Sequence, residues 1–109
     1  MRPALTPAAA GLLRGLIARA GVNKQRILLS DFRTIDWQSL TFIGERHEIR
    51  LRLPAPDAAD VAEKLTSGLA DAEWRIGGQI VADVALDGPM VHHRDGSISL
   101  SFEALTIAE

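Results

Sequence analysis

The chain has 109 residues, a formal net charge of −2 and no cysteine. A length of this order fits one domain with a small hydrophobic core, so residues 1–109 are predicted to form a single domain. The lack of cysteine excludes disulfide scaffolds, thiolate zinc sites and cysteine nucleophiles. It also favours a reducing compartment, for which we predict the cytoplasm.

The charges are distributed unevenly along the chain. Residues 1–30 carry five basic and no acidic side chains, so the remainder is acidic. A basic segment of this kind can contact an anionic partner, but the negative net charge argues against a general nucleic-acid-binding protein. The apolar segment around Arg14 is interrupted by that charge and is too short to span a bilayer, so we expect neither a secretory signal nor a membrane protein.

A first helix is predicted over residues 6–20. Thr6 followed by proline is typical of a helix start, and Gly21 is typical of a helix end. The opposite sides of this helix differ, because one side carries Gly11 and Gly15, each of which costs a helix about 1 kcal/mol relative to alanine. This smooth strip predicts either a close contact with another helix or subunit, or a peripheral helix with an exposed face. The other side is apolar and must be buried; it consists of Ala9, Leu12, Leu13, Leu16, Ile17 and Ala20.

Two extended segments follow the first helix. In the second of them Ile49, Leu51 and Leu53 alternate with charged residues, so these three are predicted to face the core. The first segment, residues 26–36, is apolar in both phases where it begins, and its faces stay unassigned.

A hairpin is predicted to join these two segments. Gly44 and Glu45 suit the tip of a type II′ turn, because glycine accepts the positive φ of the first central position. This register places His47 on the inner face, and it sets Trp37 opposite Arg52 on the outer face.

A second helix is predicted to begin at Asp57, with an apolar stripe on one side only. It is followed by a strand over residues 73–87, in which every even position is apolar or glycine. A last hairpin turns at Asp95 and Gly96, the preferred pair for a two-residue type I′ turn.

Together these elements predict an α+β fold. The sheet is mostly antiparallel with about five or six strands, and it combines with two helices in the order α-ββ(β)-α-βββ. The second helix is expected on the inner face of the sheet. The first helix is expected at an edge or on the outer face.

His47 and His93 are the candidate catalytic residues. Each lies close to a predicted turn on the inner face, so they meet if the two hairpin tips converge, with Glu45 and Asp95 as the nearest carboxylates. This hypothesis predicts a small-molecule-binding or catalytic domain. His92 points outward in the same register, so the adjacent histidines are not expected to share an ion, and neither a metal nor a cofactor is expected.

An outer row of Arg46, Arg50 and Arg52 is the candidate anion surface. Trp37 joins this row, and arginine beside an aromatic ring can stack on a base or hold an anion. Glu48 interrupts the positive charge, so nucleic acid is disfavoured as a partner.

An apolar cluster on the outer face supports the preferred hypothesis. A bulge near Gly88 is needed to bring the last two strands into phase. Either the first helix or a second subunit must then cover the cluster, and the glycine strip of Gly11 and Gly15 offers a second place for close contact. We therefore favour a non-enzymatic binding or assembly domain that self-associates as a homodimer, with another protein as the alternative partner. The cluster consists of Val81, Ala85, Leu105 and Ile107.

Overall fold

A computed structural model describes residues 4–109, so Arg2, one of the five basic residues of the N-terminal segment, lies outside the described residues. The order of helices and strands and the antiparallel sheet confirm the predicted α+β fold. The elements are α1 (Pro7–Ala20), β1 (Leu28–Gln38), β2 (Ile43–Leu53), α2 (Ala58–Thr66), β3 (Gln79–Leu86), β4 (Val91–His92) and β5 (Ile98–Ala108).

The sheet has β5 at its centre. The strand order is β1-β2-β5-β3, and the two-residue strand β4 pairs with β5 on the same side as β3. Every pairing is antiparallel. Strand β1 therefore forms one edge, and β3 followed by β4 forms the other.

Both helices lie on the inner face of the sheet, so the predicted position of the first helix at an edge or on the outer face is wrong. The apolar face of α1 contributes Leu12 and Leu16 to the same core as Leu51 and Phe102 of the sheet. Helix α1 also packs beside α2, where the Arg19 guanidinium donates to the Ser67 carbonyl oxygen at 2.6 Å. The reason is that two helices are needed to cover the apolar inner face of four strands.

The ends of α1 are those that the sequence predicts. The Thr6 hydroxyl oxygen accepts a hydrogen bond from the backbone N–H of Ala9 at 3.2 Å, and Gly21 ends the helix with a φ of 66°. The same hydroxyl donates to Glu45 Oε1 at 2.9 Å, which attaches the start of the helix to β2.

The turn between β1 and β2 is not at Gly44 and Glu45 but at residues 39–42. The Ser39 backbone N–H donates to the Phe42 carbonyl oxygen at 2.9 Å, and the Ser39 hydroxyl accepts from the Phe42 N–H at 3.1 Å. Gly44 lies within β2, where a side-chain carbon would collide with the carbonyl oxygen of Thr106. Glycine is needed there for the close approach of β5, and not for a turn.

The predicted strand over residues 73–87 is divided in the structure. Residues 76–79 form a turn, in which the Gln79 N–H donates to the Ile76 carbonyl oxygen at 3.1 Å and Gly78 has a φ of 75°. Strand β3 begins only after this turn. Its register shifts between Val81 and Asp83, so the bulge expected near Gly88 lies inside the strand instead.

The last hairpin has a three-residue turn and not the predicted two-residue turn. The His93 N–H donates to the Ser97 carbonyl oxygen at 2.9 Å, and Gly96 has a φ of 86°. His92 is therefore paired with Ile98, one residue away from the predicted register. As a result His92 takes the inner phase and His93 the outer phase, the reverse of the prediction.

Candidate functional site

His47 lies on the inner face of β2 and is fully buried. Its Nδ1 is 3.0 Å from the Thr34 hydroxyl oxygen on β1, and its Nε2 is 2.9 Å from the Thr106 hydroxyl oxygen on β5. Burial lowers the pKa of His47, although the nearby Glu45 carboxylate opposes this effect. The imidazole is neutral and both of its nitrogens are bonded within the sheet, so it ties three strands together.

His93 does not meet His47. It lies on the outer face, where its Nε2 is 2.8 Å from the Ser99 hydroxyl oxygen. His47 pairs with Ala104 and His93 bonds to the backbone of Ser97. Seven residues along β5 separate these levels, which corresponds to roughly 23 Å. The convergence of hairpin tips that the catalytic hypothesis requires does not occur.

Asp95 is part of a turn and not of an acid–base pair. Its carboxylate accepts from the hydroxyl of Ser97 at 2.6 Å and from the N–H of the same residue at 2.9 Å, and the Arg52 guanidinium donates to it at 3.1 Å. The hydrogen bonds from Ser97 lower the pKa of Asp95 to about 2, and Arg52 contributes to the same effect.

Over residues 4–109 no group of three or more His, Asp or Glu side chains stands where it could hold a metal ion.

The three arginines of the predicted anion surface do share the outer face of β2, but each is paired with a nearby side chain. Arg46 donates to Glu103 at 2.9 Å, Arg50 donates to the Ser101 hydroxyl at 3.3 Å, and Arg52 binds Asp95. Both ion pairs of this row are exposed, so each contributes little to stability. The surface alternates in charge, which does not favour a polyanion.

Trp37 is not beside Arg52, because the observed hairpin register sets Trp37 opposite Gly44 and Arg52 opposite Leu28. The tryptophan instead belongs to an apolar row that continues across the sheet through Ile107 to Ile80. The row lies at the opposite end of the outer face from Arg50 and Arg52, and Arg46 lies in the row next to it.

The outer apolar cluster is present, but its membership differs from the prediction. Leu105 and Ile107 lie on the outer face as expected, and Ala85 lies there opposite Glu103. Val81 is turned to the inner face by the bulge, since it pairs with Thr106. The apolar side chains on the outer face form what we call the outer apolar patch. It consists of Ile35, Trp37, Ile80, Leu105 and Ile107.

Sequence reasoning missed Ile35 and Ile80, which are 41% and 52% exposed. Strict alternation through residues 73–87 assigned Ile80 to the core, and the strand over 26–36 had no assigned face. The faces of this strand could have been assigned from residues 31–37, because their odd-numbered side chains, some charged and some apolar, all point outward. The apolar residues at the start of the strand fit either face and concealed this pattern.

The glycine strip on α1 is occupied by the chain itself. A side-chain carbon added at Gly15 would lie 2.6 Å from the ring of Trp74, and one added at Gly11 would lie 2.7 Å from Ile76. The segment before β3 therefore packs into the strip. This packing explains the two glycines, so neither a second subunit nor an exposed helix face is needed to account for them.

Comparison with protein-family models, with curated proteins and with solved structures finds no match to this chain. In the part of the chain that the structure describes, no helix is long and apolar enough to cross a membrane. What can be inferred about function therefore depends on the surfaces of the chain itself.

Proposed function

We propose that this protein is a non-enzymatic assembly domain, which self-associates through the outer face of its sheet. The observation that supports this proposal is the outer apolar patch, which no element described in residues 4–109 covers, because α1 and α2 both lie on the inner face. An exposed cluster of large apolar side chains is typical of an interaction surface.

The size of the outer face suits a dimer. Four strands about 4.8 Å apart and some ten residues long give the whole outer face, its charged and apolar ends together, an area of roughly 600 Å² per copy, or about 1,200 Å² for two. This area is at the lower end of the range for specific protein interfaces. A twofold axis along the strand direction stacks the apolar end of one sheet on the apolar end of the other.

The other two hypotheses have less support. A catalytic role for His47 would need an opening to solvent that its full burial does not provide. An anion surface would need positive charge that is not matched by neighbours such as Glu48 and Glu103. The outer apolar patch contains one charged neighbour, Arg46 between Ile35 and Leu105, and its charge is paired with Glu103.

Sedimentation velocity of the wild-type chain and of Ile80→Glu tests the proposal. Ile80 is half exposed, so the variant should fold, and a glutamate in the patch should weaken the dimer at least roughly 100-fold, because it acts on both copies. Ala59→Glu adds the same charge on the exposed side of α2 and should leave the mass unchanged. A wild-type monomer at 100 µM protein, or equal masses for wild type and Ile80→Glu, would contradict the proposal.

A further inference from the structure

Strand β1 is an open edge over its whole length. It pairs with β2 on one side, and none of its eleven residues is buried, so the helical layer does not extend over it. The opposite edge differs, because β3 contains a bulge and is separated by four residues from the short β4. Bulges and short strands protect an edge against pairing, and β1 has only one bulge, at Ser30.

The register identifies which backbone groups of β1 face outward. Because Ser39 donates to the Phe42 carbonyl, the odd residues of β1 after the bulge exchange hydrogen bonds with β2. The even residues direct their N–H and C=O groups away from the sheet. These outward residues are Phe32, Thr34, Asp36 and Gln38.

We propose that β1 pairs antiparallel with β1 of a second copy, about a twofold axis at Ile35. This pairing joins the two sheets into one. It goes beyond the face contact proposed above, since it uses the edge of the sheet, although both take a second copy of the chain as the partner. Each contact can form without the other.

Hydrogen bonding selects this register. With Ile35 on the axis, Phe32 lies opposite the partner's Gln38 and Thr34 lies opposite the partner's Asp36. All four outward residues are then in hydrogen-bonded pairs, and the bulge at Ser30 remains outside the contact. A register centred on Phe32 or Thr34 brings the bulge into the pairing.

Charge also favours this register. An axis at Arg33 would oppose two guanidinium groups, and an axis at Asp36 would oppose two carboxylates. With the axis at Ile35, Arg33 lies on the same face as the partner's Trp37 and opposite it, where a cation can stack on the ring. The two copies of Ile35 meet between these pairs, so the outer apolar patch continues from one copy into the other.

Cysteine cross-linking tests this arrangement, since the natural chain has no cysteine. Residues that face each other in a non-hydrogen-bonded pair have Cα atoms about 4.5 Å apart, which a disulfide can bridge. Under mild oxidation Ile35→Cys should link to itself in most molecules. Arg33→Cys and Trp37→Cys should each stay largely unlinked alone, and should link when mixed in equal amounts.

Val91→Cys is the matched control, because Val91 lies on the opposite edge with an exposure of 44%, close to that of Ile35. If Ile35→Cys links no more than Val91→Cys, β1 does not pair with itself. If Arg33→Cys links to itself as readily as Ile35→Cys, the proposed register is wrong.

A second variant separates this proposal from the face contact. Asp36→Pro removes an outward N–H that β2 does not use, and it should abolish cross-linking of Ile35→Cys, whereas Asp36→Ala should not. Ile80→Glu should leave that cross-link intact. If only Asp36→Pro loses the mass of the dimer, the edge pairing is supported and the face contact is wrong. If only Ile80→Glu loses it, the face contact is supported and the edge pairing is wrong.

Discussion

The Nε2 atom of His47 lies 2.9 Å from the Thr106 hydroxyl oxygen, in a position closed to solvent. That hydroxyl donates to the Glu45 carbonyl oxygen at 3.5 Å, so its oxygen is free to accept a hydrogen bond from the Nε2–H of the ring. Thr34 then donates to the other ring nitrogen. The neutral histidine satisfies both of its nitrogens across three strands, and this role explains a buried polar residue without any catalytic function.

The first prediction concerns pH and follows from the lowered pKa of His47. The unfolded chain takes up the histidine proton near pH 6.5, while the folded chain does so only at lower pH. The contribution of His47 to the free energy of unfolding is therefore fully present above pH 6.5. It decreases as the pH falls from 6.5 towards the pKa of His47 in the folded chain. Urea unfolding between pH 7.5 and 5 should show this loss, with a limiting slope of about 1.4 kcal/mol per pH unit. His47→Gln should remove most of the slope, and an unchanged slope would contradict the assignment.

The second prediction compares the two hydroxyls that bind His47. Thr106→Val leaves a buried ring nitrogen without a partner and should lower the free energy of unfolding by about 1–3 kcal/mol. Thr34→Val should cost less, because Thr34 is only half-buried and water can replace its hydroxyl. Denaturant unfolding of the two variants at pH 7.5 measures the difference. Equal losses would mean that water does not reach the Thr34 side of the ring.

Much of the fold could be predicted from local sequence patterns. The ends of α1 follow from Thr6 and Gly21, since a hydroxyl cap and a left-handed glycine act within one turn of chain. The inner faces of β2 and β5 follow from alternation, which is a strong signal in strands with one buried side. These features are determined by residues close together in the chain, and for this reason they can be predicted from the sequence.

The register of the hairpins could not be predicted in the same way. Gly44 looks like a turn residue, but its role depends on how close β5 comes, and nothing near it in sequence reveals that distance. Gly15 similarly depends on Trp74, 59 residues later. A one-residue error in register exchanges the two faces of a strand, and for this reason His93 was assigned to the wrong face.

The third prediction concerns metal binding at the adjacent histidines. His92 and His93 project to opposite faces of the sheet, so they cannot jointly hold one ion. Calorimetric titration with zinc should show no stoichiometric site tighter than about micromolar. A tighter site that disappears in both His92→Ala and His93→Ala would contradict the observed register.

The last prediction concerns the packing of Trp74 into the glycine strip. Alanine at Gly15 should improve the helix by about 1 kcal/mol, but its side-chain carbon would lie 2.6 Å from the Trp74 ring. In the wild-type background Gly15→Ala should therefore lower the melting temperature, because the indole must move out of its position. In a Trp74→Ala background the collision is absent, and the same substitution should raise the melting temperature through helix propensity alone. Thermal unfolding of the four proteins gives the coupling, and the change of sign between backgrounds is the decisive result. If Gly15→Ala stabilises the wild-type protein as well, the strip is not held open for Trp74.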